Sequence, residues 1–278
     1  MFGWKKNVKI GPPLKLSAFR KVAIGTWQSA GDPSVYSILT FDIRPAAAFM
    51  EKVQEKTSDK ITMTHFFGKA VAYVLAQHPE LNCILRWGKL YPRENIDIFF
   101  QVASDKKGED LSGYTIRNAD RKSVREMAEE LSRGANKIRT QGDPDYKKMK
   151  QSLKFLPSIL SWWIIQFTAF IQYNLNRWHP AIGTPQDSFG SVMITNIGSL
   201  GLELALAPLV PYSRTPCVLT LGAIHKAPVV VDGDRVEVAP VIKIGVNFDH
   251  RLIDGMHASK MSRVLNDIFR NPEKYLDI

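Results

Sequence analysis

The segment Phe248-Asp249-His250-Arg251-Leu252-Ile253-Asp254-Gly255 puts a titratable base, a carboxylate four residues on and a glycine inside one short turn. Imidazole in model peptides titrates at about 6.5, so a neutral histidine held there can take a proton from a thiol or hydroxyl near neutral pH. The Asp254 carboxylate can ion-pair nearby and brace the loop. Gly255 admits backbone angles or close approaches that a side chain forbids. The other histidines (His65, His78, His179, His225 and His257) stand alone on patterned elements or in loops and read as structural.

Such residues need elements to hold them. An alternating apolar run (Val241, Ile242, Ile244, Val246, Phe248) precedes the turn and a helical pattern (Met261, Val264, Leu265, Ile268, Phe269) follows it, which predicts His250 at a strand end. Strand ends and loops are where chemistry is usually mounted. About fifty residues upstream, Ser191 to Gly201 reads SVMITNIGSLG, a strand running into a glycine-bounded turn. Taken alone, Thr195 in that strand is a β-branched residue filling a sheet.

Together the two stretches make the chain resemble the catalytic domain of the acyltransferase components of 2-oxoacid dehydrogenase complexes, whose fold is shared with chloramphenicol acetyltransferase. That family carries TISNLGxxG, then DHRxxDG, then a closing acidic-proline-glutamate tail. This chain shows MITNIGSLG, DHRLIDG and Asn271-Pro272-Glu273 in the same order. The resemblance extends through Ile96 to Val102, Asp120 to Ile138 and Arg20-Lys21-Val22, and so covers nearly the whole chain apart from one insertion.

The resemblance implies an α/β fold (α+β, two layers), with a mixed sheet covered by helices. It implies a coenzyme-A-dependent acyltransferase moving an acyl group between coenzyme A and a dihydrolipoyl-like thiol or other nucleophile. Coenzyme A or acyl-coenzyme A is then a substrate, and no cofactor is bound covalently. His250 matches the general base, and Asp254 the carboxylate that organises the active-site loop. Thr195 stands where the family usually has serine, whose hydroxyl donates to the oxyanion of the tetrahedral intermediate. Asn196, Gly198 and Gly255 fall at substrate-binding positions, and Gly201 matches the turn. The family's site forms between subunits of a homotrimer, so His250 and Thr195 are expected closer across an interface than within a chain. Further assembly into a cage is left open.

Two departures stand beside these matches. The family's N-terminal segment continues into a pair of arginines where this chain reads Gly25-Thr26, although Arg20 could still serve. No lipoyl or peripheral-subunit-binding segment precedes the matched region, so a swinging arm is not expected and the acyl acceptor stays unnamed. These departures motivate an alternative reading, a non-catalytic oligomeric core or membrane-associated scaffold that retains the fold. Condensation domains of peptide synthetases share HxxxDG but usually carry a second histidine where this chain has Asp249.

The 278 residues, 45% hydrophobic and 23% charged, are enough for a large core and read as a single domain over residues 1–278. Cys83 and Cys217, far apart in apolar surroundings, argue for a reducing compartment, and no cleavable leader opens the chain, so a cytoplasmic location is expected. Neither cysteine has a second ligand at metal-site spacing, and no phosphate-binding glycine loop follows a strand. The formal charge of +10 is spread without a nucleic-acid-binding motif, which excludes that reading. A solvated basic surface accounts for it most simply, and the anionic partners that the resemblance suggests are coenzyme A phosphates, an acidic carrier protein or an acidic lipid surface.

Helices are expected from Pro45 to Lys56, from a cap at Thr64 through Gln77, and from Ser123, boxed by Glu126, to Ile138. Strands are expected near Leu81 to Trp87, Ile96 to Val102, Ser188 to Thr195, Val218 to Ala223, Val229 to Val231 before an Asp232-Gly233 turn, and Pro240 to Phe248. The insertion, about residues 146–186, carries a helix from Phe155 to Asn176 without a charged residue. Leu156, Ile159, Leu160, Trp163, Ile164, Phe167, Phe170, Ile171 and Leu175 form one apolar face, with Ser158, Ser161, Thr168, Gln172 and Asn176 opposite. The polar stripe argues against spanning a membrane and suits contact with more protein, so burial of the apolar face against the trimer is favoured over a membrane interface.

Overall fold

The computed structural model describes residues 4–17, 21, 32–103, 111–141, 158–182, 184–231 and 233–277. Its strands are β1 (Ser34–Asp42), β2 (Cys83–Arg86), β3 (Lys89–Pro92), β4 (Ile98–Ala103), β5 (Leu111–Ile116), β6 (Val192–Asn196), β7 (Cys217–Leu221), β8 (His225–Val231) and β9 (Arg235–Asp249). Seven of them form one mixed sheet in the order β1-β9-β7-β6-β4-β5, with β8 also on β9, while β2 and β3 pair as a separate hairpin. The β4–β6 and β6–β7 pairs are parallel and the others antiparallel.

Side chains alternate across this sheet. Ile194, Leu219, Ile244 and Val246 enter the main core, which is closed by α1 (Arg44–Gln54), α2 (Met63–Gln77), α3 (Val124–Gln141) and α5 (Gly255–Arg270), with α4 (Ser158–Ala169) lying in the insertion. Phe269 of α5 stacks on Phe41 of β1 at 4.1 Å between ring centres and meets Phe66 of α2 edge-on at 5.1 Å. The core thus fixes the helix that follows the His250 turn directly to the sheet. Leu276 is buried in the same core, so the C-terminal tail packs on its own chain.

The opposite sheet face carries an extended strap, Leu202 to Ala207. The Ala223 amide donates to the Leu202 carbonyl and Asn247 Nδ2 to that of Ala207, each at 2.8 Å, and the Thr220 hydroxyl donates to the Ala205 carbonyl. Glycines make this approach possible: a Cβ on Gly222 would sit 1.8 Å from the Glu203 carbonyl oxygen, and one on Gly245 would sit 2.2 Å from that of Ala205.

Several boundaries differ from the sequence expectation for identifiable reasons. The α2 cap is Thr62, in a capping box with His65, rather than Thr64. The Ser123–Glu126 capping box of α3 is present, with bonds of 2.8 and 3.2 Å. β1 escapes a pattern search because its outer positions carry exposed Tyr36 and Ile38, which erases the polar phase of the alternation. β9 starts earlier, at Arg235, because its first half pairs with β8 beyond the edge of β7.

Within one chain the inserted helix packs its polar side inward and leaves much of its apolar face exposed. α4 and the π-helical turn Phe170–Asn174 expose Trp163, Ile164, Phe167, Phe170 and Leu175, while Ala169, Gln172, Tyr173 and Asn176 are buried. Leu156, Ser158, Ile159, Leu160 and Ser161 have side chains outside the described set. The cause is the surface that receives the helix. Asn176 pairs with both backbone groups of Val8, accepting from its N–H at 2.6 Å and donating to its carbonyl at 2.9 Å. Gln172 donates to the Thr184 hydroxyl and accepts from Tyr212 at 3.1 Å. Unpaired backbone at Val8 makes the polar stripe, not the apolar face, the better inward side. Val8, Ile84, Ala169 and Tyr173 close a small second core beneath it.

Candidate active site

β9 delivers His250 to the sheet end. Asp249 ends the strand, nearly buried, and its carboxylate grips Arg251 through two contacts, Nε to Oδ1 at 2.9 Å and Nη2 to Oδ2 at 2.6 Å. The Leu252 and Ile253 amides both donate to the Asp249 carbonyl at 2.9 Å, and the His250 amide donates to the Pro33 carbonyl at 3.0 Å. The turn is therefore rigid on both sides of the imidazole. His250 Nδ1 lies 3.1 Å from the Ile253 carbonyl oxygen. A carbonyl only accepts, so this contact requires the proton on Nδ1 and makes Nε2 the accepting nitrogen.

Asp254 stands at the N-cap of α5. Its carboxylate accepts from the His257 amide at 3.0 Å and lies 2.8 Å from His257 Nδ1. Beside it the Asp249–Arg251 pair, a short-range bidentate contact that no spacing rule singled out, adds a further brace to the loop. Gly255, the first residue of α5, does not match its expectation. It has no positive φ, and a Cβ built on it meets nothing within 4 Å among the described residues, so neither special backbone angles nor a close approach to them requires glycine there.

Thr195 occupies β6 opposite Thr220 of β7, which in turn faces Gly245 of β9. Its side chain is half-buried on the strap face, and its hydroxyl makes no hydrogen bond among the described residues. Asn196 is exposed, donates to the Thr64 hydroxyl at 2.9 Å and accepts from the Ser199 amide at 3.2 Å. Thr64, expected as a cap, instead ties this turn to α2. Gly198 is required by close packing, since a Cβ there would lie 2.6 Å from the Gly222 carbonyl oxygen, and Gly201 adopts φ of +78°.

Thr195 and His250 do not meet within the chain. His250 lies five residues past Gly245, which at about 3.3 Å per residue is roughly 16 Å along the strands, before two interstrand steps of about 4.8 Å are added. They occupy opposite ends of the sheet. The strap and the segment after it run between those ends, from the Gly198 turn to a cavity of about 510 Å³ beside the His250 turn. Pro208 to Pro211, Arg214, Thr215, Asp249, Arg251 and Leu252 line it, together with Leu85 and Asp32 to Ser34. His250 is not on the cavity wall, although both of its neighbours are. Arg214 was not recognisable from the sequence, being a lone arginine in a loop. Burial, together with the Arg251 charge, lowers its pKa, and its Nε has no hydrogen-bond partner in the described structure. Arg20, Gly25 and Thr26 lie outside the described residues.

The family model for the 2-oxoacid dehydrogenases acyltransferase (catalytic domain) matches residues 14–155 and 182–276. The chain belongs to this family. The internal stretch left unmatched, 156–181, holds α4. A relative, the dihydrolipoyllysine-residue succinyltransferase component of the 2-oxoglutarate dehydrogenase complex of Staphylococcus saprophyticus, is 23% identical over 224 residues. That alignment covers 81% of this chain and 42% of the relative, so the chain spans less than half the length of the curated relative.

Solved structures show the shared fold. The cubic core of the pyruvate dehydrogenase multienzyme complex superposes with a TM-score of 0.65 at 20% identity, covering 95% of this chain and 99% of that one. A chloramphenicol acetyltransferase gives 0.52 at 13% identity, covering 91% and 96%. The fold of this 2-oxoacid dehydrogenase acyltransferase family member is therefore the chloramphenicol-acetyltransferase-like mixed sheet covered by helices.

Proposed function

We propose that the chain transfers an acyl group between coenzyme A and a thiol of dihydrolipoyl type or another nucleophile, in a site completed between copies of a homotrimer. His250 Nε2 removes the thiol proton, and the sulfur attacks the acyl-coenzyme A carbonyl. The Thr195 hydroxyl of a neighbouring copy donates to the oxyanion that forms. Collapse of the tetrahedral intermediate breaks the bond to coenzyme A, whose thiolate takes the proton back from His250. Asp254 fixes the start of α5 behind the loop, while Asn196 and Gly198 shape the turn beside the oxyanion. Gly255 leaves open space toward the substrate.

The observation that carries this reading is the Nδ1 contact to the Ile253 carbonyl, which sets the tautomer that a base needs. The large separation of Thr195 from His250 supports completion by a second copy. Exposed Val230, Val236 and Val238 on the β8–β9 hairpin and Tyr36 and Ile38 on β1 supply apolar surface for such contacts. The cavity cation Arg214 suits an anionic portion of the donor. A cytoplasmic location belongs to the same proposal, and the buried free thiols of Cys83 and Cys217 fit it.

The test is coenzyme-A-dependent acyl transfer to a dithiol by the wild type and by His250→Ala. Undiminished transfer by the variant sinks the mechanism. No transfer by the wild type across varied donors and acceptors favours the alternative, a scaffold that has kept the fold.

A further inference from the structure

The net charge of this protein is not evenly distributed along the chain. Residues 1–31 and 146–186 contain 11 of the 37 basic residues and none of the 27 acidic ones, and the rest of the chain carries 26 basic and 27 acidic residues. The two basic stretches meet in space. Lys5 and Trp178 exchange backbone hydrogen bonds of 2.9 and 2.7 Å, Asn176 pairs with Val8, and Trp4 packs on His179 with ring centres 5.3 Å apart. Lys5, Lys6 and Arg177 are all exposed there.

Beside these cations lies the outward face of α4. Trp163, Phe167 and Phe170 follow one another at helical spacing, with Trp163 60% and Phe167 64% exposed. Phe170 meets the exposed Trp87 edge-on at 5.8 Å, and the Trp87 indole N–H is anchored to the Asn174 carbonyl at 2.9 Å. Indole and phenyl rings held outward by a backbone that is itself pinned inward form a fixed apolar platform. A second copy is a poor occupant for it: an isologous contact would set this acid-free surface against itself. The rest of the chain, close to neutral, offers no compensating excess of acid. Cationic and aromatic side chains on one surface match the interface of an anionic bilayer, where rings sit at headgroup depth and lysines meet lipid charge.

We propose that the outward face of α4, with Trp87 and the adjoining basic N-terminal segment, is a peripheral docking surface for an anionic lipid bilayer. The helix lies in the interface and does not cross it: among the described residues no helix is long and apolar enough to span a membrane. Apart from Trp87 the surface lies outside the stretches the family model matches, so the proposal stands whether or not the acyl-transfer reading holds.

The experiment is flotation of the full chain with vesicles of phosphatidylcholine alone and of phosphatidylcholine mixed equally with phosphatidylglycerol, at low and high salt. The wild type should float with the mixed vesicles, less so at high salt. The Trp163→Ser/Phe167→Ser variant should lose about tenfold or more in vesicle affinity while its light-scattering mass stays unchanged. Lys5→Glu/Lys6→Glu should weaken flotation at low salt without altering mass. Failure of the wild type to float, or undiminished flotation by the aromatic variant, would overturn the proposal. So would a fall in oligomer mass on the aromatic substitutions, which would identify the occupant as another copy of the chain.

Discussion

The end of β9 and the helix α4 are held to the fold by opposite devices. At the β9 end, apolar side chains point into the main core, and the polar groups of the turn are consumed by one another, leaving the imidazole set for chemistry. Around α4 and the π-helical turn that follows it, Gln172 and Asn176 point inward, consumed by the Val8 backbone, Thr184 and Tyr212, and the large apolar side chains Trp163, Phe167 and Phe170 are left outside. The comparison teaches that amphipathicity names two faces without saying which is inside. Orientation depends on what the receiving surface lacks, and here it lacks backbone partners rather than apolar contact.

The comparison is broken most forcefully at the β9 end. His250→Ala should lower coenzyme-A-dependent transfer by about 10² to 10⁴, with the circular dichroism spectrum unchanged. Thr195→Ala should cost about 10² to 10³ in kcat, while Thr195→Ser, which keeps the hydroxyl, should retain most of the activity. Either variant behaving like the wild type would leave the turn and the strand as ordinary structure.

The helix can be challenged through stability. Asn176→Leu leaves the Val8 N–H and carbonyl without partners and should cost about 2 to 4 kcal/mol in urea unfolding, although it makes the helix more apolar. His65 sharpens the same theme of buried polar groups. Burial pushes its pKa down to about 4, partly opposed by Asp59. The unfolded chain, titrating at about 6.5, binds the proton first as pH falls. The stability from neutral His65 is therefore complete above about 6.5 and is lost as pH drops toward 4, by about 2 to 3 kcal/mol. His65→Gln, which suits the same capping-box position, should flatten that part of the stability–pH curve. The smallest effect is expected from Phe167→Ser, within about 0.5 kcal/mol, because an exposed ring contributes little to the fold of one chain. A loss as large as that of Asn176→Leu would mean that the ring is buried within the chain.

Legibility in the sequence divides along the same line. The turn was readable because DHRLIDG fixes chemistry over seven residues and its flanking periods differ, two on one side and 3.6 on the other. The capping box at Ser123 was local as well. The additional brace Asp249–Arg251 is hard to see in the sequence because a residue next to the histidine competes with a better-known spacing. Arg214 was overlooked because only the strap, lying over Gly222 and Gly245, brings its loop to the cavity. No local pattern encodes a contact between Val8 and Asn176, 168 residues apart, and that contact turns the helix.

The central claim, a site shared between copies, is tested most directly by mixing. His250→Ala and Thr195→Ala, each nearly inactive, are unfolded together in equal amounts and refolded as mixed oligomers. If each site takes its base from one chain and its hydroxyl from the next, about a quarter of wild-type transfer should return. Activity that stays at the level of the separate variants would contradict the account.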